Sequence, residues 1–253
     1  MKLSVLTGLF LFLSFAAIHD APAVEKYVTT CLDTTLSHSD GPDIDKGDAP
    51  AYTVEEVTGV EKTLAGLMYN PGEIDGRADA QLECALTAFQ KMNGLERNGQ
   101  INADVLKALK NPVYPVHSKS YKGNHVEADL VRQVIVVYLD DEILRIMPTS
   151  SGANKPFKEP GGGYGSAKTP LGNFKFFAHI WGIHVGHLGD LFNPVYFQRD
   201  GYAVHGDTEV PPYNASHGCL RIPIKDSEWF EKTVPLGTPL FVSETALPVY
   251  RPE

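Results

Sequence analysis

The stretch "HGDTEVPPYNASHGCLRIP" gathers Cys219, one of only three cysteines in the chain, with His205, His217 and Arg221. A cysteine attacks an acyl carbon as its thiolate, so at neutral pH it needs a lowered pKa or an adjacent base. His217 stands two positions before the thiol. In extended backbone, residues i and i+2 share a side but lie about 7 Å apart, too far for direct proton transfer. His205 lies 14 residues before Cys219 and ends a separate strand candidate, "YAVHG". The turn "DTEVPPYNAS", its freedom cut by two prolines, can return the chain and set Cys219 opposite that imidazole. Gly218 lets the backbone bend just before the sulfur, so the amides around Gly218 and Cys219 can face a developing oxyanion.

Other chemistry fits these residues less well. Cys219, His217 and His205 supply only three zinc donors with no further Cys nearby, so neither metal nor cofactor is expected. Papain-like hydrolases place the cysteine before the histidine, and here the order is reversed. "GGGYG", Gly161 to Gly165, lacks the Gly-Lys-Ser/Thr ending of a phosphate loop and reads as a mobile loop whose Tyr164 can flank a cleft. "HIWGIHVGHLGDLFNPVYF" reads as a packed excursion between strands, with Tyr196 and Phe197 as its candidates for substrate contact and Tyr202 just beyond. The formal charge of −9, with no basic run, argues against a nucleic-acid partner.

The elements that must position the thiol occupy the second half of the chain. "VRQVIVVYLDDEILRIMPTS" is two β-rich runs about an acidic turn at Asp140 and Asp141, a hairpin by pattern. "LGNFKFFAHI", "YAVHG", "CLRIP" and "PLFVSE" are further strand candidates between Gly and Pro breaks, and "KDSEWFEKTV" suggests a short helix capped by Asp226 and carrying Trp229 and Phe230. Upstream, Thr53 and Glu56 have capping-box spacing ahead of Val57, Val60, Leu64, Leu67 and Met68 at helical intervals. Leu82, Ala85, Leu86, Phe89 and Met92 form a second stripe ended by Asn93 and Gly94, and Asn102 caps a third helix with Val105, Leu106 and Leu109 buried. The fold class is therefore α+β: a small three-helix bundle followed by a mainly β, sandwich-like domain.

The chain opens with one Lys, an apolar run from Leu3 to Ile18 and "APA", the order of a secretory signal peptide over 1–23 cut after Ala23. An exported protein with no stable membrane span after cleavage is expected, and in that compartment Cys31 and Cys84 could pair, leaving Cys219 free. The remaining boundaries are a linker over 24–52, the helical domain over 53–112, a second linker over 113–125, the catalytic domain over 126–245 and a tail over 246–253.

Two resemblances sharpen this reading. "GEIDGRADAQLECALTAFQKMNGLERNGQINADVLKAL" resembles the peptidoglycan-binding repeat of bacterial cell-wall enzymes at Ile74, Asp75, Gly76, Phe89, Gln90, Asn93, Gly94 and Leu95. "TPLGNF", Thr169 to Phe174, together with the His-Gly and Ser-His-Gly-Cys motifs, resembles the L,D-transpeptidases of the YkuD type. That resemblance implies Cys219 as nucleophile, His205 as base, the Gly206 carbonyl as its orienting group, Ser216, His217 and Gly218 shaping the loop or contacting substrate, and Arg221 lining the pocket. It also implies peptidoglycan stem peptides and glycan as partners and penem-class β-lactams as inhibitors. Cys219 would form a thioester with release of terminal D-alanine, and an amine of a second stem would resolve it into a 3-3 crosslink. Water as acceptor would make the protein an L,D-carboxypeptidase, and a non-catalytic wall-binding protein is the reading from another class. The His-to-Cys interval is short for the family, and Arg221 stands where many members carry Asn.

Overall fold

The structure is a computed structural model that describes residues 52–117 and 121–252. The signal peptide and first linker expected over 1–51, with Cys31, lie outside the described residues. Cys84 is buried and disulfide-bonded, and Cys219 is a free thiol.

Three helices come first: α1 (Val54–Gly66), α2 (Ala80–Asn93) and α3 (Ala103–Leu109). Each begins on the side-chain cap its sequence supplies. The Thr53 hydroxyl accepts from the Glu56 N–H while the Glu56 carboxylate accepts from the Thr53 N–H at 2.8 Å, Asp79 accepts from the N–H groups of Gln81 and Leu82, and Asn102 accepts from that of Val105. Gly94 ends α2 in the left-handed conformation. The turns between helices are stapled from inside. The buried Glu61 accepts the Gly76 N–H at 2.9 Å, and the Gln90 amide both donates to Asn98 and accepts from the Gly99 N–H. Gly76 has φ +77 and a Cβ there would lie 2.5 Å from Val54, so only glycine fits.

The rest is mainly β: β1 (Tyr114–Pro115), β2 (His125–Asp129), β3 (Val134–Leu139), β4 (Glu142–Pro148), β5 (Pro156–Lys158), β6 (Tyr164–Ser166), β7 (Gly172–Lys175), β8 (Ala178–His179), β9 (Ile183–Gly186), β10 (Gly189–Tyr196), β11 (Ala203–Asp207), β12 (Leu220–Pro223), then α4 (Ile224–Thr233), β13 (Pro239–Ser243) and β14 (Val249–Tyr250). One five-stranded sheet runs β4-β3-β2-β13-β7, and a second runs β12-β11-β10-β8 with β9 also on β10. The expected hairpin turns at Asp140 and Asp141, both at positive φ. Val126, Ile135, Met147 and Leu240 of the first sheet and Val195, Val204, Leu220 and Ile222 of the second form one core with Phe230 of α4.

The other face of the first sheet is not solvated. Val134, Val136, Tyr138 and Ile146 pack in a single cluster with Leu64, Tyr69, Leu82, Leu86 and Phe89 of the helical unit. Burial on both faces is why "VIVVYL" reads as a continuous apolar run rather than an alternating one. The segments expected as second linker and tail meet each other, because β1 pairs antiparallel with β14 and Leu247 is buried in the same cluster. Asp226 does not cap α4, which begins two residues earlier without a side-chain cap; its buried carboxylate instead accepts from Asn70 at 2.8 Å and Arg145 at 3.1 Å. Among the described residues no helix is long and apolar enough to cross a membrane, and no group of three or more His, Cys, Asp or Glu is arranged to hold a metal.

Candidate active site

Strands β11 and β12 pair in parallel, with Val204 opposite Leu220, His205 opposite Arg221 and Gly206 opposite Ile222. Register partners share a face, and so do residues two apart on a strand. Val204, Leu220 and Ile222 face the core, so His205, Asp207 and Arg221 face the other way, with Cys219 at the foot of β12 on their side. The residues from 208 to 219 form the return that a parallel pair requires, and about a dozen is near the minimum for such a crossover. The short His-to-Cys interval therefore still closes the pair.

His205 is buried, and its Nδ1 lies 2.8 Å from the Gly206 carbonyl. A carbonyl can only accept, so Nδ1 carries the proton and Nε2 is left as the basic nitrogen. Burial holds His205 below the usual imidazole range and Arg221 adds to that, against the Gly206 carbonyl and Asp207. Burial likewise pushes the Cys219 thiol up, opposed by the Ala203 N–H and Arg221. Both shifts favour the uncharged forms, and the thiol donates to the Gly201 carbonyl at 3.7 Å. The Arg221 Nε sits 3.1 Å from Asp207, which ties one edge of its guanidinium and leaves the terminal nitrogens for a ligand.

Two hydroxyls fix the loop before the sulfur. Ser216 donates to the Cys219 carbonyl at 2.6 Å and accepts the Gly218 N–H at 3.0 Å. Thr169 donates to the Gly218 carbonyl at 2.9 Å and accepts the Gly152 N–H at 2.8 Å. The expectation that the Gly218 amide faces an oxyanion is therefore corrected, because Ser216 consumes it. With the Gly218 carbonyl held toward Thr169, the trans peptide turns the Cys219 N–H the opposite way, and that amide is the oxyanion donor the loop can offer. Gly218 has φ +137, and a Cβ there would lie 2.5 Å from the Tyr202 ring.

Cys219, His205, Ser216, His217, Arg221 and Tyr202 line one cleft of about 460 Å³. One wall is the β5–β6 hairpin, with Phe157, Glu159, Gly165 and Ser166; His217 packs its ring on Phe157 at 4.5 Å between centroids. The other is the β9–β10 hairpin through His187, Leu188, Asp190 and Phe192. The first half of that stretch is not packed, since Trp181, Ile183 and Val185 are exposed, while Phe192 to Val195 and Phe197 are buried. Its two-residue turn, His187 and Leu188 between Gly186 and Gly189, was the missed sequence signal. Phe197 is a further correction: it is 4% exposed and packs in the core beside Phe174, off the cleft. Tyr196 is half-buried on the opposite face of β10, where burial and the neighbouring Cys219 raise its phenol, but it does not line the cleft. Thr169 and Asp207 are site residues to which the sequence reading gave no role. A larger groove of about 660 Å³ on the helical unit, between α1, α2 and the turn at Gly99, holds no nucleophile–base pair.

Residues 123–242 match the YkuD family, described as the L,D-transpeptidase catalytic domain, and residues 53–109 match a peptidoglycan binding domain. A crystal structure of an L,D-transpeptidase from Xylanimonas cellulosilytica is 32% identical, with a TM-score of 0.69 over 78% of this chain and 100% of that one. An L,D-transpeptidase from Stackebrandtia nassauensis is 23% identical, with a TM-score of 0.43 over 79% of this chain and 95% of that one. None of the curated proteins matches.

Proposed function

We propose a reaction for a chain that belongs to the L,D-transpeptidases, with a peptidoglycan-binding domain ahead of its catalytic domain: acyl transfer from a peptidoglycan stem peptide through a thioester on Cys219. His205 Nε2 takes the thiol proton as Sγ attacks the carbonyl before the terminal D-alanine. The Cys219 N–H stabilises the tetrahedral oxyanion, and the imidazolium returns its proton to the departing amine as D-alanine leaves. An amine of a second stem then attacks the thioester, gives its proton to His205, and leaves a 3-3 crosslink with the thiol restored. Arg221, with its terminal nitrogens turned to the cleft, pairs with a stem carboxylate, and Tyr202 contacts the stem. The helical unit holds the glycan, and the reaction takes place outside the cytoplasm.

The observation that carries this reading is that His205 of β11 and Cys219, the residue just before β12, line one cleft, with the tautomer of His205 fixed by Gly206. A penem should add its mass to the wild-type protein and not to Cys219→Ala. Incubation with sacculi should yield crosslinked dimers. Accumulating tripeptide stems would assign water as the acceptor, and binding without a change in crosslinks would sink the enzymatic reading.

A further inference from the structure

Lys91 lies on α2 of the helical unit, far in sequence from the catalytic motif, and is 1% exposed. A long cationic side chain is rarely buried without a task. Its Nζ crosses the boundary between the units and donates to the Thr149 carbonyl at 2.9 Å. Burial also drives its pKa well down, which suits a neutral amine serving as a hydrogen-bond donor.

Thr149 is the root of a strap, 149–153, that zips along the catalytic loop. Its hydroxyl donates to the Arg221 carbonyl at 2.8 Å. The next residue, Ser150, exchanges both backbone bonds with Arg221, at 3.0 and 3.1 Å, and its hydroxyl donates to the Tyr213 carbonyl at 2.7 Å. The Ser151 carbonyl accepts from the Ala215 and Ser216 amides, and the Ala153 N–H donates to the Ser216 carbonyl. The Gly152 N–H donates to the Thr169 hydroxyl, which in turn donates to the Gly218 carbonyl. The strap thus bonds Tyr213, Ala215, Ser216 and Arg221 directly and Gly218 through Thr169, and its first carbonyl is pinned by Lys91. A second donor from the helical unit, Arg97, bonds the Pro212 carbonyl of the same catalytic loop at 3.0 Å.

We propose that Lys91 is a positioning residue for catalysis: from the helical unit it fixes the 149–153 strap, and through the strap it sets Cys219 and Arg221 against His205. The helical unit is then a working part of the active site as well as a wall-binding module. The inference rests on Cys219 as the nucleophile and not on the identity of the acceptor.

The test uses the full chain and compares wild type, Lys91→Met, Thr149→Val, the double variant and Thr149→Ser, each well below its unfolding midpoint. Penem acylation of Cys219 is followed by intact mass. Lys91→Met and Thr149→Val should each slow acylation ~10-fold at saturating penem with little change in the half-saturating concentration, because misplacement of reacting groups acts on the chemical step. The double variant should be no slower than the slower single, since both cut one chain of contacts. Thr149→Ser, which keeps the hydroxyl, should restore the rate. A folded Lys91→Met at the wild-type rate, or a double variant whose slowing is the product of the two singles, overturns the proposal. Should Lys91→Met not fold, Thr149→Val against Thr149→Ser decides: equal rates sink it.

Iodoacetamide gives a readout that needs only the thiol. In Lys91→Met the pH midpoint of Cys219 alkylation should rise, because Arg221 is no longer held where it favours the thiolate. An unchanged midpoint counts against Lys91. If the wild type takes no penem, the proposed function fails, and the alkylation profiles still decide the coupling.

Discussion

At the scale of single residues, burial depresses the pKa of His205, the proposed base, and raises that of Cys219, the proposed nucleophile. His205 accepts the thiol proton only when neutral. Burial lowers its pKa below the ordinary 6.5, so the neutral form persists to lower pH than for an exposed histidine. The acid limb of penem acylation against pH should therefore fall below pH 6.5, and a midpoint at or above that value would contradict the assignment. Arg221→Gln removes a charge that disfavours the imidazolium, so the same limb should move upward. Thr169→Val keeps the shape but strips the Gly218 carbonyl and the Gly152 N–H of their shared partner, and such buried groups cost roughly 1–3 kcal/mol each when unpaired. Acylation by that variant should slow ~10- to 100-fold while the protein stays folded, and Thr169→Ser should recover most of it. Cys219 and His205 were legible as candidates because chemistry restricts which side chains can serve. Phe197 was misread because an aromatic in a strand does not declare its face. Only the alternation that puts Val195 and Phe197 inward, beyond the irregularity between Phe192 and Val195, settles it.

At the scale of elements, the site is a parallel strand pair closed by one loop, and the loop's shape depends on Gly218. Its φ of +137 and the Tyr202 ring 2.5 Å from a would-be Cβ act together, so Gly218→Ala must move the peptide that presents the Cys219 amide. We expect that variant to fold, to keep its thiol reactive toward iodoacetamide, and to lose most acylation by penem; acylation near the wild-type rate would refute the oxyanion assignment. Helix α4 shows what sequence pattern leaves out. Asp226 has the spacing of a cap, yet it is buried and joins Asn70 of the helical unit to Arg145 of β4, a pairing that no local pattern encodes. Asp226→Ala strands the largely buried Arg145 charge and should cost about 3 kcal/mol, read as a lowered midpoint in denaturant. The helix caps, the Asp140 and Asp141 turn and the β11 and β12 strands were readable because each is decided by neighbours in sequence. The β9–β10 hairpin was not, because Ile183 and Val185 of β9 are exposed and mimic a core strand.

At the scale of the molecule, composition suggested two domains joined by a linker, and the packing makes them one body. Val134, Val136, Tyr138 and Ile146 are covered mainly by the helical unit, with Leu247 in the same cluster, and Tyr69 reaches across to pair with Ile146 while its ring meets Phe89 edge-on at 5.7 Å. If that shared cluster holds the molecule together, the helical unit cannot melt alone: its loss would expose the outer face of β3 and β4 in the first sheet to water. Calorimetry of the full chain should show one transition, and the temperature at which Cys219 loses penem reactivity should coincide with it. Phe89→Ala removes a fully buried ring from the helical side and should cost about 3–5 kcal/mol. Because the core is common, that cost should appear as a downward shift of the single transition, with thiol reactivity lost at the new, lower midpoint. Two separated transitions, with only the first moved by Phe89→Ala and reactivity surviving beyond it, would show that the β domain stands without its helical cover.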